Sequence, residues 1–114
     1  MELAGKDVVI AGLGRSAVGA AKLLLDRGAR PFVSEAGDAP HEEFAAALDA
    51  LGVPCETGGH TPERFTGAAL VVLSPGVPPA IAAVEAARGA GVPVVGELEL
   101  AWRHCDAPVL AATG

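Results

Sequence analysis

Asp7-Val8-Val9-Ile10-Ala11-Gly12-Leu13-Gly14-Arg15-Ser16-Ala17 is the stretch that decides the fold. Its first five residues are short, apolar and β-branched, the pattern of a parallel strand covered on both faces. Two glycines then stop the strand, and helical spacing begins. Val18, Ala21, Leu24 and Leu25 recur along 16–27 on one helical face, and Gly28 stands where a helix closes. A strand that passes through a glycine turn into a helix is the first half of a βαβ unit.

The alternation continues outward from there. Residues 31–35 read as a second strand and 36–40 as a turn. Residues 41–51 read as a helix with Glu42 and Glu43 in its first turn and Gly52 at its end. A weak strand follows at 53–57, then a single helical turn at 61–65 with Thr61 as N-cap and Pro62 at the first position. Ala69-Leu70-Val71-Val72-Leu73 is the clearest strand of all, broken by Ser74-Pro75-Gly76-Val77-Pro78-Pro79. An alanine-rich helix is predicted over 81–89, a strand over 92–95, a helix over 97–105 and a last strand over 107–112. Strands alternating with helices imply an α/β fold: a doubly wound, Rossmann-like parallel sheet of about five strands, ending at 92–95, with helices on both faces. Ligands of such sheets sit beyond the carboxyl ends of the strands, near the switch in strand order. The loops at 12–16, 35–38, 57–61 and 74–79 are therefore the ones to inspect.

Composition narrows the function. The 114 residues suit one domain, and 51% hydrophobic content excludes intrinsic disorder. Eight Lys and Arg against 14 Asp and Glu leave a net charge of −6, with no basic stripe for a nucleic acid or an anionic membrane surface. Apolar runs such as 68–73 fall far short of the ~20 residues a spanning helix needs, and the N-terminus lacks a basic start followed by an apolar stretch. Cys55 and Cys105 are too far apart for a zinc spacing and read as two reduced thiols of a cytoplasmic protein.

Gly12-Leu13-Gly14-Arg15-Ser16-Ala17 matches G-x-G-x-x-A. The first Gly permits the tight turn, the second lets backbone approach a diphosphate, and the small third residue lets helix and strand pack closely. A positive φ is an option at Gly14, and any Cβ there would stand where phosphate oxygens approach. Free N–H groups and the helix dipole favour an anion, with Arg15 and Ser16 adding a charge and a hydroxyl. Glu35 follows about 20 positions later, where a dinucleotide fold places an acid for the ribose diol. Spacing alone therefore makes NAD the default ligand.

A wider pattern changes that expectation. Val8-Val9-Ile10-Ala11-Gly12-Leu13-Gly14-Arg15-Ser16, Leu73-Ser74-Pro75-Gly76-Val77-Pro78, Gly91-Val92-Pro93-Val94-Val95-Gly96-Glu97-Leu98-Glu99-Leu100 and Pro108-Val109-Leu110-Ala111-Ala112-Thr113-Gly114 occur in that order. Together they resemble the N-terminal domain of the Mur ligases of peptidoglycan synthesis. Within that family, Gly-Leu-Gly-x-Ser and Gly-Glu-Leu-Glu-Leu look most like the branch that adds D-glutamate to UDP-N-acetylmuramoyl-L-alanine. The branches that add L-alanine, or diaminopimelate or lysine, share the layout.

The resemblance implies that this domain holds the UDP half of a UDP-sugar peptide rather than NAD. It lays the diphosphate on Gly14, Arg15, Ser16 and Ala17. It sets the uracil between Glu35, Ala36 and Gly37 on one side and Ser74 and Gly76 on the other. Family members often carry Asp and then a hydroxyl residue at the second strand. Here Glu35-Ala36 offers no hydroxyl, so base reading leans on backbone groups and Glu35. The resemblance also implies a parent ligase, a cytoplasmic monomer using ATP and Mg, that forms an acyl phosphate for D-glutamate to attack. Residues 1–106 would be the UDP-binding domain. Residues 107–114 would be the first strand of a truncated ATPase domain, with Thr113 and Gly114 opening an incomplete ATP loop. No catalytic residue is expected in this fragment, which alone should be inactive. An NAD(P)-binding domain of an oxidoreductase is the alternative, favoured by Glu35 and disfavoured by the Ser-Pro-Gly loop and the closing Ala-Thr-Gly.

The remaining polar residues have plainer readings. His60 is expected as a loop residue bonded to backbone, and His41 and His104 as surface residues. Trp102 falls at helical spacing with Leu98 and reads as core. Glu97 and Glu99 read as helix N-terminal charges rather than metal ligands.

Overall fold

The computed structural model describes residues 3–37, 42–78, 81–97 and 99–100. Among the described residues nine elements alternate: β1 (Asp7–Ala11), α1 (Arg15–Asp26), β2 (Arg30–Ser34), α2 (Glu42–Leu51), β3 (Cys55–Glu56), α3 (Pro62–Thr66), β4 (Leu70–Leu73), α4 (Ala82–Gly89) and β5 (Val94–Gly96). The five strands form one parallel sheet in the order β3-β2-β1-β4-β5. β1 is central, with Val9 opposite Phe32 of β2 and Val71 of β4.

The sheet buries both faces, and the period-2 alternation of each strand divides the core. Val8 and Ile10 point to one side with Val33, Leu70 and Val72, under Ala17, Ala21 and Leu24 of α1 and Leu48 of α2. Val9 and Ala11 point to the other with Phe32 and Val71, under Phe65 of α3 and Ala83, Val84 and Ala87 of α4. The alanines on the buried face of α1 let its backbone lie close to the sheet, and Leu24 fills the deeper space. Leu25, read at helical spacing with Val18, Ala21 and Leu24, is 38% exposed, because the buried face of α1 runs through Ala17, Ala20, Ala21 and Leu24. Gly28 closes α1 at a φ of +80° that L side chains rarely adopt.

Both edge strands start later than expected, for one reason. Pro54 and Pro93 have no N–H, so each lends the sheet only its carbonyl. The Val33 N–H donates to Pro54 O and the Val71 N–H to Pro93 O, each at 3.0 Å, and regular pairing starts after the proline. Thus β3 begins at Cys55 rather than Val53, and β5 at Val94 rather than Val92. The Val92 N–H is instead used to close α4, donating to Ala87 O at 2.9 Å. The readings made for His41, for 101–105 with Trp102, His104 and Cys105, and for 107–114 with Thr113 and Gly114 lie outside the described residues. No helix among the described residues is long and apolar enough to cross a membrane.

Candidate functional site

Strand order reverses at β1, since the chain moves to β2 on one side and later to β4 on the other. The carboxyl ends of β1, β2 and β4 border a cleft of about 370 Å³ at that point. Its lining includes Gly12, Leu13, Gly14, Ser16 and Ala17 from the glycine turn, Glu35 from the end of β2, and Ser74–Val77. A smaller cleft of about 160 Å³ adjoins it, sharing Gly12, Glu35, Gly76 and Val77 and adding Ala36, His60, Pro78 and Ile81. Seven of the nine residues expected to hold UDP therefore line these two clefts. Arg15 and Gly37 are exposed beside them and belong to neither lining.

The two glycines of the turn do different work. Gly12 has a φ of +105°, and a Cβ on it would stand 2.7 Å from Val77 Cγ2 and 2.9 Å from Ser74 Cβ. Only glycine lets the 74–77 loop pack against this turn. Gly14 does not adopt the positive φ allowed for it. Its φ is 179°, ordinary extended backbone, and a Cβ there meets nothing within 4 Å. That open space is the cleft. Gly14 is the N-cap of α1, and its carbonyl accepts the Val18 N–H at 3.2 Å. The first-turn N–H groups before Val18 lack intrahelical acceptors, as at any helix start, and present positive dipole ends to the cleft.

Glu35 braces the turn. Its Oε1 accepts the Leu13 N–H at 2.7 Å and its Oε2 accepts the Gly37 N–H at 2.8 Å. On the opposite wall, the Ser74 hydroxyl donates to Glu97 Oε2 at 2.7 Å, and the Ser74 N–H donates to Ala11 O at 3.0 Å. Ser74 O accepts the Val77 N–H at 3.0 Å, closing a tight turn with Gly76 exposed at its tip. Glu97, read from sequence as a helix-start charge, thus also anchors the loop after β4.

Beneath the smaller cleft lies a network that spacing did not reveal. Ser34, fully buried at the end of β2, has its Oγ 2.7 Å from Glu56 Oε2 and 2.6 Å from His60 Nδ1. Thr61 does not cap α3 with its side chain. Its hydroxyl donates to Glu56 Oε1 at 2.5 Å and its N–H to Glu56 Oε2 at 2.9 Å. Burial pushes the Glu56 carboxyl up, but the hydrogen bonds from Thr61 and Ser34 outweigh it and hold the group below its usual range. Cys55 moves the other way, raised by burial and then by the charges of Glu35 and Glu56. His60 is held by a side chain 26 positions away rather than by backbone. Gly58-Gly59-His60 stood out as a loop on the ligand edge, but its partner could not be read from it.

Among the described residues, no group of three or more His, Cys, Asp or Glu lies together as a metal site.

Residues 6–96 match the family described as Mur ligase MurD-like, N-terminal domain. The chain is 48% identical over 113 residues to a UDP-N-acetylmuramoylalanine–D-glutamate ligase of Chlorobaculum tepidum, covering 99% of this chain and 24% of that protein. It is 52% identical over 101 residues to the ligase of the same name from Frankia casuarinae, covering 88% of this chain and 21% of that protein. The chain thus spans about a quarter of the length of these relatives. Among solved structures, the fold superposes on a UDP-N-acetylmuramate-alanine ligase of Thermotoga maritima with a TM-score of 0.65 at 23% identity, over 83% of this chain and 21% of that one. It superposes on a glutamyl-tRNA reductase of Methanopyrus kandleri with a TM-score of 0.60 at 21% identity, over 87% of this chain and 32% of that one. At such identities both likenesses are of fold alone.

Proposed function

This chain belongs to the Mur ligases, as a MurD-like N-terminal domain, and from that premise we propose that its cleft binds the UDP half of a UDP-sugar peptide. The observation that carries the reading is the cleft itself. It joins a helix N-terminus, a glycine without obstruction at Gly14 and two facing loops at the switch in strand order. The diphosphate lies against Gly14–Ala17, with Arg15 reaching over it from the rim. The uracil lies between Glu35–Gly37 and Ser74–Gly76.

The parent protein is a ligase that adds D-glutamate to UDP-N-acetylmuramoyl-L-alanine. ATP and Mg supply an acyl phosphate at the muramoyl-alanine carboxylate, in parts of the protein beyond this domain. Residues 1–106 are the substrate-nucleotide domain, and 107–114 lead toward the ATP loop that Thr113 and Gly114 begin. The parent works in the cytoplasm as a monomer, and this piece alone binds without catalysing.

An NAD(P) reading has Glu35 in its favour by spacing only. Each Glu35 oxygen already accepts one backbone N–H, from Leu13 and from Gly37, so the carboxylate also has a bracing role that spacing does not distinguish from a ribose contact. Calorimetric titration of the chain with UDP and with NAD is the test. UDP binding with NAD at least about tenfold weaker is expected, and selective NAD binding overturns the proposal.

A further inference from the structure

Ser34 Oγ has one proton and two close neighbours, Glu56 Oε2 and His60 Nδ1. Glu56 already receives the Thr61 N–H and hydroxyl, so it is an ionised acceptor on both oxygens. The Ser34 proton therefore goes to Glu56. Toward His60 the Ser34 oxygen can then only accept, so Nδ1 must carry a hydrogen. In the neutral ring that leaves Nε2 as a bare lone pair. The ring is fixed from its side by Phe65, whose centroid lies 5.4 Å away at 73°. Nε2 has no partner among the described residues, and no buried side-chain nitrogen there is unpartnered, so Nε2 is open to solvent. The open space that His60 borders is the smaller cleft, between Glu35–Ala36 and Val77 with Ile81 as an apolar wall.

We propose that His60 is a specificity-determining residue of this cleft. Its Nε2, kept as an acceptor by the Glu56–Ser34 pair, takes the N3–H of a uracil ring. Cytosine carries a lone pair at N3 and would face Nε2 with no hydrogen between them. A site built around one donor rejects the analogue that lacks it far more than it rejects a change of size. Val77 and Ile81 offer apolar surface to the flat ring. Glu56 and Ser34 are positioning residues: they touch no ligand and act by setting which ring nitrogen is protonated. The inference rests on the reading of the cleft as a UDP site and names the side chain that reads the base.

The test uses the whole chain with UDP and CDP as probes. The unmutated chain should bind UDP about tenfold or more tighter than CDP. His60→Phe keeps the ring against Phe65 but removes both nitrogens, and should bring the two affinities within about twofold of each other. Ser34→Ala should narrow the ratio while the imidazole stays. Independently of any variant, ¹⁵N NMR of the imidazole at about pH 8, where histidine is normally neutral, should show Nδ1 protonated and Nε2 bare, with Nε2 shifting on addition of UDP. UDP binding with the same UDP-to-CDP ratio in His60→Phe, or a proton on Nε2 in the free chain, overturns this inference alone. No UDP binding by the unmutated chain overturns the site reading and this inference with it.

Discussion

The Glu35 carboxylate accepts the backbone N–H of Leu13 at 2.7 Å, tying the end of β2 to the glycine turn that follows β1. The same carboxylate accepts the Gly37 N–H through its other oxygen, so one side chain sets the shape of two cleft loops. Glu35→Ala leaves both amides to water and should cost about 1–2 kcal/mol, lowering the melting temperature by roughly 5–10 °C. Glu35→Gln, which keeps one acceptor, should fall between. Thermal unfolding followed by circular dichroism checks this, and an unchanged midpoint in Glu35→Ala would mean that the bridge carries no weight.

Gly12 and Gly14 should respond oppositely to added side chains. Gly12→Ala places a Cβ against Val77 and Ser74 at a φ of +105°, and should destabilise the domain by about 2 kcal/mol. The Cβ of Gly14→Val meets nothing within 4 Å, and the change should cost about 1 kcal/mol as a poorer N-cap. Its side chain nonetheless stands in the cleft, so UDP binding should be lost from a folded protein. Urea unfolding paired with calorimetry separates the two effects. Retained UDP binding in folded Gly14→Val would show the turn to be structural only.

Acid should weaken the fold through Glu56. Its folded carboxyl is held below the ordinary 4.5, so the unfolded chain takes up a proton first as the pH falls. The stabilisation from this group is complete above about 4.5 and disappears as the pH drops through the lower folded value. Glu56→Gln should therefore differ most from the unmutated chain near neutrality and converge with it in acid. Urea midpoints measured across that range give the answer, and a difference that grows toward low pH would contradict it.

Cys55 should be a slow nucleophile. Burial, and then the Glu35 and Glu56 charges, raise its thiol, so little thiolate exists near neutrality. Maleimide labelling resolved by peptide mass spectrometry should be slower at Cys55 in the folded chain than in urea. Glu56→Gln should speed it. Equal rates folded and unfolded would remove the basis for this expectation.

The alternation of elements was legible because β1 and β4 are buried on both faces and so read as unbroken apolar runs. The glycine turn was legible because its spacing follows from backbone sterics. The edges were less so: Pro54 and Pro93 lend carbonyls from outside the paired stretch, and sequence does not say where pairing begins. At the site, the residues bordering the clefts could be named, but their internal bonds could not. Glu35 stands at the spacing of a ligand contact, and that spacing does not show that its oxygens also hold Leu13 and Gly37. His60 looked like a plain loop residue because its partner, Ser34, comes from a strand 26 positions earlier and meets it only in the folded sheet. The positive φ falls at Gly12, where the 74–77 loop crowds the turn, a contact across 62 positions that no local motif encodes.

The most direct test of the UDP reading is an amide-resolved NMR titration of the ¹⁵N-labelled chain with UDP, and separately with NAD. UDP is expected to shift the amides of Gly14–Ala17, Glu35–Gly37 and Ser74–Gly76 together, saturating at one affinity, with NAD shifting them less. Shifts confined to other parts of the sheet, or tighter saturation by NAD at these same amides, would contradict the account.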